Sequence, residues 1–252
     1  MAEQYSPAVN YLSDLINRRE RVRESWKQDA QDLVDAHQLA LSALASMITR
    51  FAARKIDEPA RDVEGQICLI AQFLIGVEIC ETSISEGLYS QAAALLKQEL
   101  ETVAGIEEYK NGRRKEGETP RIVNRGPTAG FGKVYGFLNE ISHVSRHSMA
   151  RHIVTAQMGE LVGANIVPVY NKELSTSLYG QHINYILIVV RQADTMFQGV
   201  YGEGISREEI GYVSSAMLIM FKNGLIEVAA DAPKEVTDFM KEVTGLSSKG
   251  AP

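Results

Sequence analysis

The sequence predicts an all-α fold, a multi-helix bundle with one small inserted β-hairpin or irregular segment near 153–170, on three observations. Apolar residues recur three and four positions apart over most of the chain. Hydrophobic residues fill 45% of the 252 positions, enough for a full core. Only 153–170 gathers β-branched residues around Gly159, Gly163 and Pro168, the pattern of a short hairpin.

The elements follow in order. Leu33, His37, Ala40, Leu44, Met47 and Phe51 draw one stripe along a long helix over about 24–55. A shorter amphipathic piece with Val9, Leu12 and Ile16 precedes it, and the charged residues 18–23 join or kink the two. Asp57 and Pro59 supply a cap and a preset φ for a helix over 60–85, which Gly87 ends. Ser90 is positioned to cap the next helix, whose buried stripe is Ala92, Leu96, Leu100, Val103 and Ile106, flanked by Lys97, Glu101 and Glu108.

Gly112, Gly117, Pro120, Gly126, Pro127 and Gly130 break every helical period across 110–131. A loop of that length in a compact domain is either functional or disordered. A helix resumes near Lys133, with Val134, Phe137, Leu138 and Ile141 expected inward. After the hairpin segment come long helices over 176–200 and 207–229, the second behind a Ser206 and Glu209 capping box. Asp231 and Pro233 open a short last helix ending at Gly245. The expected organisation is one helical domain over 1–245, with 1–56 as an N-terminal extension, 57–229 as the bundle core and 246–252 as a flexible tail.

Net charge is −6, which excludes a strongly basic nucleic-acid coat, so anion binding would have to come from a local patch. Cys68 and Cys80 both lie in apolar helical sequence and read as core thiols of a reducing compartment, which makes the cytoplasm the expected location. The N-terminus lacks a basic region followed by an apolar run, and the most apolar segment, 67–80, is interrupted by Gln72 and Glu78. A buried helix, with no membrane partner, is the expectation there.

Several motifs carry candidate chemistry. Gly126, Gly130, Gly132 and Lys133 look like a phosphate loop, but five residues separate Gly126 from the Gly-Lys pair where four are needed. Val134 also stands where a magnesium-binding hydroxyl belongs. The same region concentrates charge: Lys110, Arg113, Arg114, Lys115, Arg121, Arg125 and Lys133 face only Glu116 and Glu118, a local +5. These seven are the candidate contacts for RNA or a nucleotide. His143, His147 and His152 fall within ten residues, beside Arg146 and Arg151. On a continuing helix His143 and His147 would share one face, but no third ligand stands at zinc spacing.

Glu140 and His143 form a Glu-x-x-His element without a second copy, so Glu78, Glu99 and Glu101 would have to be recruited for a carboxylate-bridged metal pair. No metal and no cofactor is therefore expected. His37 and Glu78, on apolar helices, are expected to be polar groups satisfied by neighbours.

The helix over 92–102, the element Leu138-Asn-Glu-Ile-Ser-His143 and the segment Pro168-Val-Tyr170 together resemble a group of uncharacterised bacterial all-helical proteins related to the HEPN superfamily. The resemblance covers about 60–200 and implies a helical bundle with an inserted irregular or β segment, commonly dimeric. HEPN ribonucleases carry an Arg, a polar residue and a His four to six positions on, and Arg146, His147 and His152 look like that pattern. It implies His152 as general acid or base and Arg146 stabilising phosphorane charge, with no metal. His143 matches the histidine of the uncharacterised group better than His152 does. The expectation is a homodimeric, non-catalytic interaction module with a protein partner, in a bacterial defence or toxin-type system. The alternative is a metal-independent ribonuclease or RNA-binding protein using Arg146 and His152.

Overall fold

The computed structural model describes residues 6–56, 59–123, 130–143, 147–158 and 161–227. Among them are seven helices: α1 (Ser6–Phe51), α2 (Arg61–Ser85), α3 (Tyr89–Lys110), α4 (Phe131–Ser142), α5 (His147–Val154), α6 (Lys172–Tyr201) and α7 (Arg207–Lys222). Strands β1 (Thr155–Met158) and β2 (Leu161–Ala164) stand between α5 and α6 and pair antiparallel, Thr155 opposite Ala164 and Met158 opposite Leu161. The all-helical bundle and its small hairpin are both present, although Ile153 and Val154 finish α5 and do not begin a strand.

α6 is the centre. α1, α2 and α3 all pack against it, α7 packs on α1, and α4 on α3. Its sequence explains this position, because Leu178, Tyr179, Ile183, Tyr185, Ile186, Val189, Val190 and Ala193 are buried around most of its circumference.

The packing draws the N-terminal boundary differently from the expected 1–56. From Val22 onward α1 belongs to the core: Trp26, Leu33, Ala36, Ala40, Leu44, Met47 and Phe51 are buried with α6 and α7. Residues 6–21 bury no side chain, with Val9, Leu12 and Ile16 exposed, and touch the rest of the chain through Tyr11 and Arg19. The charged segment 18–23 is helical throughout, because Arg19 is bonded to Glu86 and Arg23 reaches Thr82 Oγ1 at 2.9 Å and Ser85 Oγ at 3.2 Å. The helix instead departs from regular geometry at Ala30 (φ −144°, ψ 37°).

Other boundaries follow from burial more than from capping. Ala60 precedes α2 without a side-chain cap, and Asp57 lies outside the described residues. Leu88 precedes α3 likewise, so Ser90, expected to cap, sits inside the first turn. Tyr89 fixes that start: it is buried, and its hydroxyl lies 2.9 Å from Ser175 Oγ and accepts from the Asn171 N–H at 2.8 Å. Asn171 in turn caps α6 by accepting from the Leu174 N–H, which begins that helix at 172 and not at 176.

The Ser206 and Glu209 capping box forms as expected, but α7 stops at Lys222, where Asn223 and Gly224 (φ +67°) end it. The last helix over 231–245 and the tail 246–252 lie outside the described residues. Two core assignments change: Cys68 is exposed while Cys80 is buried, and Phe137 is exposed because α4 buries only Phe131, Leu138 and Ile141. By length and composition α2 alone among the described helices is apolar enough to cross a membrane, despite Gln72 and Glu78.

Candidate functional site: a buried Cys–Glu–His cluster

Four helices each place a polar side chain on the stripe that faces the centre of the bundle. α1 contributes His37, α2 Cys80, α3 Glu99, and α6 His182 between Tyr179 and Tyr185. The three-residue spacing of 179, 182 and 185 puts those α6 side chains on neighbouring positions of one face. His182 is fully buried and its Nδ1 lies 2.9 Å from Glu99 Oε2. The His37 ring stacks on His182 with centroids 5.1 Å apart, and Tyr179 packs between Trp26 and His182. One ligand atom each from Cys80, Glu99 and His182 lies within 4.8 Å of the other two.

Glu99 Oε1, His182 Nε2, His37 Nε2 and the Tyr185 hydroxyl have no hydrogen-bond partner within the protein. Buried polar atoms are ordinarily paired with protein or ordered water, so these four mark the cluster as the polar centre of the core. The low dielectric shows in the titration of the group. Burial, and then the adjacent His182, lowers His37 to about 3. Burial, and then the Glu99 charge, pushes the Cys80 thiol well up. Tyr185 is raised by burial, then by Glu99 and Cys80. Cys80 is therefore a neutral thiol and no free nucleophile, since nucleophilic cysteines need an electropositive, accessible setting.

The expected histidine cluster is arranged differently from a shared helix face. α4 ends at Ser142, and His143 is its extended C-cap (φ −101°, ψ 134°). His147 begins a separate helix, α5, and is exposed, so the two do not stand four apart on one helix. Arg146 lies outside the described residues, and His152 is placed by its backbone in α5. Glu140 sits in the last turn of α4.

The basic loop, as far as 111–123 describe it, is tied to α3. The Arg114 guanidinium donates to the carbonyls of Lys115 and Glu118 and lies 3.6 Å from Glu108, while the Arg121 N–H donates to Glu108 Oε1 at 2.9 Å. Lys115 and Arg121 pair with Glu118 at 3.5 and 3.6 Å. A hollow of about 520 Å³ opens here, lined by both signs of charge, Arg113, Arg114, Lys115 and Arg121 against Glu107, Glu108 and Glu118. Lys110, Arg113 and Lys133 are exposed. Arg125 and the glycine-rich stretch 126–129 lie outside the described residues, and Gly130 (φ +82°) is the N-cap of α4.

Sequence reasoning met His37, Cys80 and Glu99 one at a time and did not single out His182. The only signal was a polar residue on the buried stripe of each helix, and Gln66, Ser83, Thr102, Ser175 and Gln192 share that property, so it does not link these four. Comparison with family models, with curated proteins and with solved structures found no match for the chain.

Proposed function

We propose that this protein is a non-catalytic helical interaction module that assembles as a homodimer through the outward face of α2. One observation carries the reading: Cys68, Ala71, Ile75 and Ile79 form an uncovered apolar stripe, with Ile75 77% and Ile79 53% exposed. Ile67, Leu69 and Leu74 pack against the core while Ile75 and Ile79 do not, so the helix carries more apolar surface than the bundle uses. Beside the stripe, Gly76 has nothing within 4 Å of where a Cβ would stand, leaving room for a second helix to approach. Two copies of one straight stripe are self-complementary across a two-fold axis, the commonest symmetry of soluble oligomers.

The HEPN-like kinship and a setting in a bacterial defence or toxin-type system belong to this proposal, as does a further protein partner. The ribonuclease or RNA-binding alternative using Arg146 and His152 takes second place, because the loop arginines 114 and 121 engage Glu108 and Glu118. Sedimentation equilibrium of the full chain tests the reading. A dimer that becomes monomeric in Ile75→Lys/Ile79→Lys, with an unchanged circular dichroism spectrum, is expected. A wild-type monomer at micromolar concentration, or co-flotation of the wild type but not the variant with lipid vesicles, would replace it.

A further inference from the structure

We propose that Cys80, Glu99 and His182 form a site for a divalent transition cation of borderline softness, the zinc class, inside the bundle. The site goes beyond the interaction reading and does not rest on it. Three facts support it independently of one another.

The first is the donor set. A sulfur, a carboxylate oxygen and a ring nitrogen from α2, α3 and α6 lie within 4.8 Å of one another. Bond lengths of about 2.3 Å to sulfur and about 2.1 Å to nitrogen or oxygen would place tetrahedral donors roughly 3.5 Å apart. The present separation, up to 4.8 Å, is wider by about 1 Å, so binding would draw the three side chains together. Mixed sulfur, nitrogen and oxygen donors select zinc-like ions over magnesium or calcium, which take oxygen.

The second is charge. On binding, the thiol proton leaves to solvent and a metal–sulfur bond forms, so the ion meets one thiolate, one carboxylate and one neutral imidazole. Two negative ligands neutralise a divalent ion, whereas a monovalent or trivalent one would leave net charge in a core where Cys80 and His182 are 1% and 0% exposed.

The third is the set of unused lone pairs. A hydrogen-bond network alone, with His182 Nδ1 against Glu99 Oε2 at 2.9 Å, leaves Glu99 Oε1 and His182 Nε2 without partners. If one ring nitrogen binds the ion, the other is placed to orient the ring against a neighbour, as metal-bound histidines do. Glu99 also lines a cleft of about 50 Å³ between α2 and α3, together with Phe73, Gly76, Gln98 and Thr102.

Cobalt(II) titration of chelator-treated full-length protein tests the site. One equivalent should produce a cobalt–thiolate charge-transfer band and the intense visible bands of tetrahedral cobalt, bleached by zinc, with release of about one proton per ion. Cys80→Ser, Glu99→Gln and His182→Gln should each weaken binding at least tenfold, and Cys68→Ser should leave it unchanged. X-ray absorption of the zinc-loaded wild type, expected to show one sulfur in a nitrogen and oxygen shell, needs no variant to fold. A folded wild type with no cobalt–thiolate band, a band lost in Cys68→Ser, or a zinc shell without sulfur overturns the proposal.

Discussion

The imidazoles of His37 and His182 stack with their centroids 5.1 Å apart and their planes 23° from parallel, joining α1 to α6 at the centre of the bundle. Burial first, and His182 second, hold His37 in its neutral form by lowering it from 6.5 to about 3. Its folded value thus lies below its unfolded one. The unfolded chain takes up this proton more readily, so the stability contributed is full above about pH 6.5 and is lost as pH falls from there toward 3. Denaturant unfolding between about pH 7 and pH 4 should show stability falling by up to about 1.4 kcal/mol per unit from this group. His37→Leu should flatten that slope, and an equal slope in the variant would remove His37 from the account.

Glu209 closes α7 onto α1. It is buried, accepts from Arg50 at 2.7 Å, from Ser46 at 3.0 Å and from the Ser206 N–H at 2.7 Å. Burial opposes its charge, but the bonds from Arg50, Ser206 and Ser46 outweigh that and hold the carboxyl below its usual range. Arg50→Ala should cost about 2 kcal/mol, the lower part of the range for a charged hydrogen bond because Arg50 is partly exposed. The sign fixes a second readout. A depressed carboxylate contributes above its unfolded value and loses that contribution as pH falls, so the deficit of Arg50→Ala should shrink in acid. Thermal melts of both proteins at neutral and at acid pH would measure it.

Gly65 sits where α2 meets α3, and a Cβ there would run into the Tyr109 ring. Gly65→Ala should destabilise by about 1–3 kcal/mol despite the better helix propensity of alanine. Adding Tyr109→Ala should recover part of the loss, a coupling that a double-mutant cycle reads directly. Gly211→Ala, with nothing within 4 Å, should instead stabilise by about 0.5–1 kcal/mol.

The basic loop and the histidines can be separated by RNA. Purified protein in EDTA should leave single-stranded RNA intact; under the RNA-binding alternative, retention at low salt would fall steeply as salt rises. Arg113→Ala/Lys115→Ala should weaken that binding and flatten its salt dependence. Arg114→Ala should loosen the loop as well, because its guanidinium holds two loop carbonyls. Cleavage abolished by His152→Ala with affinity retained would restore the ribonuclease reading.

The sequence by itself determined most of the described helices and most of the core, though not the separate helix α5. The stripe from Leu33 to Phe51, the stripe from Ala92 to Ile106 and the Ser206–Glu209 box all stand as their spacing requires, because each depends on residues three and four apart on one helix. It also placed the paired strands within 153–170, although the β-branched Ile153 and Val154 finish α5 instead of beginning a strand. What it left open depended on contacts distant in sequence. The start of α3 follows from Tyr89 meeting Asn171 and Ser175, more than 80 residues away, and the course of 18–23 from arginines meeting α2. Whether a given apolar stripe is covered is likewise decided between elements, which is why Cys80 is buried while Cys68, Ile75 and Ile79 are not. The Cys80–Glu99–His182 cluster is the clearest case. No two of its members share a helix, so no periodicity joins them, and only the packing of α2 and α3 against α6 brings their donor atoms within 4.8 Å.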